Sequence, residues 1–156
     1  MPGGDEEGAG LGRFVAAQGP VWEAVRRELA EGRKRTHWIW FVFPQVAGLG
    51  RSDMARRYAL GSLGEARAYL AHPLLGPRLA ECAALALAAP AGRSARDVFG
   101  EPDDLKLRSC LTLFSRAAPG PEGAVFRTAL ARSFGGSEDA ATVERLAAAA
   151  AGDAGR

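Results

Sequence analysis

Two cysteines, two histidines and two methionines are the whole stock of soft or imidazole ligands in 156 residues. Cys82 and Cys110 lie far apart and form no Cys-x-x-Cys pair, and His37 and His72 have no His-x-x-x-His spacing. A thiolate zinc site, a dithiol redox motif and a helical histidine pair are thereby excluded, so no metal and no cofactor is expected. Such sparse cysteine use suits a reducing compartment, where a thiol serves as a small apolar core residue. Long hydrophobic runs are missing too. The longest candidate, Trp38 to Phe43, stops at Pro44, far short of the roughly 18 residues of a membrane helix. The opening Met-Pro-Gly-Gly-Asp-Glu-Glu-Gly is acidic and glycine-rich, the opposite of a basic targeting region. A cytoplasmic protein with no membrane contact is expected. Charge of one sign is also scarce. A net charge of +2 and a pI near 8.8 give too mild a basic excess to argue for a nucleic-acid partner.

What is present reads as one folded domain. Hydrophobic residues at 47% and charged residues at 24% are ordinary for a globular chain, and the length suffices for a core without staples. Residues 1–10 read as a disordered lead, 11–148 as a single helical domain, and 149–156 as a frayed tail. The alanines of that tail favour helix but have little to bury. The spacing of apolar residues and caps predicts an all-α, compact bundle of about seven to nine short helices.

Phe14 and Val15 begin a short helix that ends before Gly19. Pro20 suits a first turn, and Val21, Trp22, Val25 and Leu29 form one stripe closed by Gly32. Thr36 is placed to cap His37–Phe43, which is apolar in every direction. Periodicity cannot separate helix from strand there, but burial follows either way, and its helical surroundings favour a short helix. Ser52 is expected to cap a helix through Tyr58 and Leu60. Ser62 and Glu65 have capping-box spacing, and their helix carries Ala66, Tyr69 and Leu70 as far as Pro73. A longer helix then puts Leu75, Leu79, Cys82 and Ala86 on one face. Ser94 caps a turn to Phe99, and Pro102 opens a helix from Asp103 to Ser115 with acids in its first turn, where the dipole favours them. Two more helices follow near 122–134 and 139–150. Gly-Arg-Ser occurs at 50–52 and 92–94, each time before a helix, as a pair of similar caps.

Several blocks are unusual enough to carry a resemblance. They are Gly32-Arg-Lys-Arg-Thr-His-Trp-Ile-Trp-Phe-Val-Phe-Pro-Gln45, Gly48-Leu-Gly-Arg-Ser52, Tyr69-Leu-Ala-His-Pro73, and Asp103-Asp-Leu-Lys-Leu-Arg-Ser109 with Thr112-Leu-Phe114. From about Leu11 to Leu146 the chain resembles a bacterial family known as domain of unknown function 1810. The resemblance implies a compact all-α fold and brings no settled activity. Some members carry the label "calpastatin", but calpain-inhibitor repeats are extended whereas this chain reads as a packed domain. In the family pattern Ile39 and Leu111 often read methionine, a volume-conserving swap. Cys110 often reads serine, which argues against an obligatory nucleophile there.

Three places hold polar residues that packing alone would not put there. On the helix 103–114, at about 100° per residue, Lys106 shares a face with Leu107, Cys110, Leu111, Leu113 and Phe114, and Asp103 points the same way. Asp104 and Arg108 project elsewhere, as surface residues. A lysine on such a face must snorkel or be paired: either it pairs with Asp103, or it lines a pocket for an anionic or carbonyl ligand. The second place is Arg33-Lys34-Arg35-Thr36-His37-Trp38. A histidine at a helix start near cations favours its neutral form and can act as a base, while Trp38 and Trp40 are either core or stacking surfaces. The third is the loop from Pro44 to Ser52, where backbone amides and Arg51 offer a weak anion site and Gln45 a polar contact. It has neither dinucleotide nor P-loop spacing, and no Gly-x-Ser-x-Gly elbow occurs in the chain. His72 is expected in a cap or turn, and Ser109 and Thr112 in bonds back to their helix.

Two functions compete. One is a small-molecule site where Arg33, Arg35, His37, Gln45, Arg51 and Lys106 converge beside Trp38 or Trp40 on a phosphate-bearing nucleotide or ADP-ribose-like ligand. His37, Asp103 and Lys106 are its candidate catalytic residues, and N-glycosidic hydrolysis by Asp103 or Glu65 is its boldest form. The other is a non-enzymatic interaction module for protein or nucleic acid, built on the Arg33-Lys34-Arg35 patch. A purely structural role for the same motifs stands beside both.

Overall fold

The computed structural model of the chain describes residues 2–89 and 93–154, with side chains from residue 10 to residue 152. It is all-α. The helices are α1 (Pro2–Gln18), α2 (Trp22–Ala30), α3 (Ile39–Val42), α4 (Asp53–Arg57), α5 (Leu63–Ala71), α6 (Leu75–Leu87), α7 (Ala95–Phe99), α8 (Asp103–Ala117), α9 (Ala124–Phe134) and α10 (Ala140–Ala154). Single 3-10 turns at Gly19–Val21 and Pro121–Gly123 lead into α2 and α9, each opened by a proline near its start. The backbone is helical from Pro2, through a stretch whose composition suggests no structure, and among its described side chains Leu11, Phe14, Val15 and Ala17 join or line the core.

Helix α8 organises the domain. It packs against α3, α5, α7, α9 and α10, and α6 packs against α2, α5 and α9. Leu107, Cys110, Leu111, Leu113 and Phe114 are all buried, and so are Ser109 and Thr112 on the other side of the helix. Two of the buried hydroxyls bond back to carbonyls of the helix, whereas the Ser115 Oγ has no partner among the described residues. Ser109 donates to the Leu105 carbonyl at 3.1 Å and Thr112 to the Arg108 carbonyl at 2.8 Å, as the sequence suggests. Asp104 is a correction: it is 9% exposed rather than on the surface, and its Oδ1 has no partner among the described residues. Arg108 is half-buried near the surface, where it donates to Ser137 and to the Glu138 carbonyl.

The capping map is mostly right, and its errors are informative. Ser52 caps α4, but that helix stops at Arg57 because Leu60 leaves it for a one-pair parallel bridge with Val46. Ser62 caps α5, yet Glu65 reaches past it to the Gly61 amide, so the reciprocal box does not form there. The reciprocal arrangement occurs instead at Ser94 and Asp97, before α7. Ser52 and Ser94 are thus both caps, although Gly92, which begins the second Gly-Arg-Ser, lies outside the described residues. The imidazole Nδ1 of His72 accepts from the Leu74 and Leu75 amides, an ordinary turn contact. The segment 37–43 is a single helical turn starting at Ile39, and Thr36 does not cap it. The Thr36 hydroxyl has a different partner, on which the site depends.

Candidate functional site

The site begins at the end of α2. Gly32, at φ 74°, adopts the left-handed conformation that ends a helix without a Cβ penalty. The Gly32 amide donates to the Leu29 carbonyl and the Arg33 amide to the Glu28 carbonyl, a Schellman-type ending. That turn reverses the chain, so the strap 33–38 runs back over α2 and meets Glu28. This glutamate is only 4% exposed. One carboxylate oxygen accepts from the Arg35 amide at 2.7 Å, the Thr36 amide at 3.0 Å and the Trp38 indole at 3.0 Å. The other accepts from the Thr36 hydroxyl at 2.7 Å. Burial alone would push the carboxyl up, but the bonds from Thr36, Arg35 and Trp38 outweigh it and hold it at about 2. Glu28 therefore stays ionised as the anchor of the strap.

With the strap anchored, Lys34 turns inward. Its side chain is 5% exposed, and its ammonium meets Asp103 Oδ2 at 2.8 Å and the Thr36 carbonyl at 2.6 Å. It also lies 5.0 Å from the centre of the Trp38 ring. The other Asp103 oxygen faces Lys106 at 3.4 Å, and the Lys106 ammonium lies 5.3 Å over the Trp40 ring. One carboxylate at the first turn of α8 is thus shared by two ammoniums, each over its own tryptophan. The expected Asp103–Lys106 pair forms, and Lys106 is neither sunk in the core nor free in water, at 25% exposure.

The other anticipated residues divide. Arg33, Arg35 and His37 are exposed along the strap, with Arg35 also 3.4 Å from Glu31. Trp40 is half-buried, whereas Trp38 is 1% exposed and packed against Phe43 and Phe99. Trp38 is core, and its ring is not open for stacking. The Pro44–Ser52 loop is committed elsewhere. Gln45 offers its carbonyl to the Leu60 amide, Ala47 its amide to the Leu60 carbonyl, and Gly48 its carbonyl to Arg145 of α10. Arg51 is exposed on that loop, and the Ala55 amide at the start of α4 is taken by the Ser52 hydroxyl. No group of histidine, cysteine and acidic side chains arranged to hold a metal occurs among the described residues.

Glu28 and the inward turn of Lys34 are not foreseen from the sequence. Glu28 sits one turn from Val25 on the stripe side of α2, where a polar residue reads as a gap in the pattern. For Lys34 a signal does exist. The chain has 20 lysines plus arginines, of which only Lys34 and Lys106 are lysines, and both end on Asp103. Both cysteines are buried, and burial pushes each thiol well above its ordinary range, which is core behaviour and not that of a nucleophile.

Residues 8–146 match the model of a family described as "Protein of unknown function (DUF1810)". The chain belongs to this family. The fold is also that of a crystallised conserved hypothetical protein from Mycobacterium tuberculosis, Rv1873. The two share 55% identity with a TM-score of 0.84, over 88% of this chain and 96% of the other. None of the curated proteins matches the chain. Neither the family description nor the name of the structural relative states an activity.

Proposed function

We propose that the chain binds a phosphate-bearing small molecule, of the nucleotide or ADP-ribose kind, where Lys106 lies over Trp40. The observation that carries this reading is the shared counter-ion. Lys34 holds one Asp103 oxygen at 2.8 Å and leaves Lys106 only a 3.4 Å contact to the other, with the Lys106 ammonium over the Trp40 indole. Lys34 is committed inward, while Lys106 is held by one long contact and is a quarter exposed. Its ammonium can swing to a ligand phosphate while keeping its stem on Trp40. Arg33, Arg35 and His37 are exposed along the adjoining strap and would add donors at the rim. Should a reaction follow binding, His37, Asp103 and Lys106 are its candidate groups. Glu65 is not among them, since its carboxylate is bound to the Gly61 amide.

The alternative, a nucleic-acid or protein module built on Arg33-Lys34-Arg35, is weakened by the burial of Lys34. The three-residue patch presents two guanidiniums, and one of them faces Glu31. No helix of the described residues is long and apolar enough to cross a membrane. Two buried, unpaired thiols support a reducing, cytoplasmic setting.

The test is a titration of the 15N-labelled protein with AMP, ADP-ribose, ribose 5-phosphate and adenosine, following the Trp40 indole resonance. The phosphorylated compounds should shift it, and Lys106→Met should abolish the shift while leaving the rest of the spectrum intact. An equal response to adenosine, or no response to any of the four at millimolar concentration, would overturn the reading.

A further inference from the structure

At the other end of α8, about 21 Å from Asp103 along the helix axis, lies a cavity of about 640 Å3 that the site above does not use. Its walls come from α5, α6, the end of α8, the Pro121–Gly123 turn and α9. It is hollow because its lining includes Ala71, Ala80, Ala117 and Ala118, where larger side chains would take up space, and Gly76. Gly76 has no freedom to change, as a Cβ there would sit 2.0 Å from the Leu70 carbonyl oxygen. Leu70, Pro77 and the buried Phe126 complete an apolar lining. The volume is that of a small-molecule site.

Two charged side chains border this hollow, Arg67 and Glu122. The Arg67 Nε donates to the Ala117 carbonyl at 3.1 Å, which ties the guanidinium to the end of α8. Its two terminal nitrogens make no hydrogen bond or ion pair among the described residues. Arg67 is exposed at the edge of the hollow, and a guanidinium pinned at Nε with no protein partner for its fork matches a carboxylate in two-point geometry. Glu122 is exposed, and its carboxylate lies against Gly120. We infer that this cavity is a second binding site, for an apolar molecule with a carboxylate head, the body against Phe126 and Leu70 and the head on Arg67. It stands independently of the phosphate site, because no residue is common to the two.

Decanoate, decanol and decylamine separate the contributions, with resonances of Leu70, Ala80 and Phe126 as reporters. Decanoate should bind most tightly, decanol more weakly and decylamine least. Arg67→Gln should weaken decanoate by about tenfold and leave decanol unchanged. Ala80→Leu, which fills the hollow from α6, should abolish both. Decylamine binding as tightly as decanoate would mean that Glu122 governs the mouth and would overturn the assignment. So would Arg67→Gln leaving decanoate unchanged, or decanoate failing to shift the reporters below its micelle concentration.

Discussion

The two ends of α8 solve opposite problems. The first turn crowds charge into the interior: Glu28, Lys34, Asp103 and Lys106 lie among tryptophans, and nearly every polar atom has a partner. The last turn does the reverse, leaving space among alanines with a single guanidinium tied across its edge. Buried charge makes the first end intolerant, because removing one partner strands the other without water. Empty space makes the alanines of the second end permissive, Gly76 excepted, because there is room beside them. Function at the first end would come from a charge only loosely paired, and at the second from volume left over after packing.

Substitutions at the two ends should therefore differ sharply in effect. The largest loss is expected for Glu28→Gln, which removes the charge that gathers four hydrogen bonds from the strap. Urea unfolding should show a loss of about 3 kcal/mol. The same carboxylate predicts a pH dependence. Its folded value of about 2 lies below the ordinary 4.5, so the unfolded chain takes up the proton first as pH falls. The stabilisation is complete above about pH 4.5 and is lost toward pH 2, amounting to about 3 kcal/mol. Unfolding followed down to pH 3 should show this slope in the wild type, and Glu28→Gln should flatten it. Asp103→Asn comes next, at about 2 kcal/mol, because it leaves the buried Lys34 ammonium without its counter-ion. Lys106→Met should cost less than about 1 kcal/mol, since its pairing is long and partly exposed. If Lys106→Met cost as much as Asp103→Asn, the two lysines would be equivalent struts and the contrast between them would fail. Smallest of all is Ala80→Leu at the hollow end, expected within about 0.5 kcal/mol of the wild type by the same unfolding measurement.

The contrast also explains what the sequence reveals. Most of the helix map is legible, because caps such as Ser52, Ser62 and Ser94 and stripes such as Leu75, Leu79 and Cys82 are local signals. Lys106 stands out because a charge interrupts an apolar face of one helix. Lys34 stands out only as one of two lysines among many arginines, and its burial depends on a reversal at Gly32 and on the Glu28 carboxylate that holds the strap. The 37–43 segment misleads for the same reason: Thr36 looks like a cap until Glu28 is known to occupy its hydroxyl. Asp104 reads as a surface residue because a helical wheel carries no knowledge of neighbouring helices, and α8 packs against five of them. The hollow is the least legible feature. It arises from small residues on separate elements, and an alanine in sequence gives no sign of whether its neighbour fills the space or leaves it.

The central claim is that Asp103 serves two lysines unequally, holding Lys34 and leaving Lys106 available. Lysine-selective 15N NMR of the side-chain ammonium groups tests it directly, since the chain has two such groups to resolve. Lys34 should give a protected, slowly exchanging resonance that ADP-ribose does not move, and Lys106 a fast-exchanging one that becomes protected when ADP-ribose is added. Two equally protected ammoniums, both indifferent to ADP-ribose, would contradict the account.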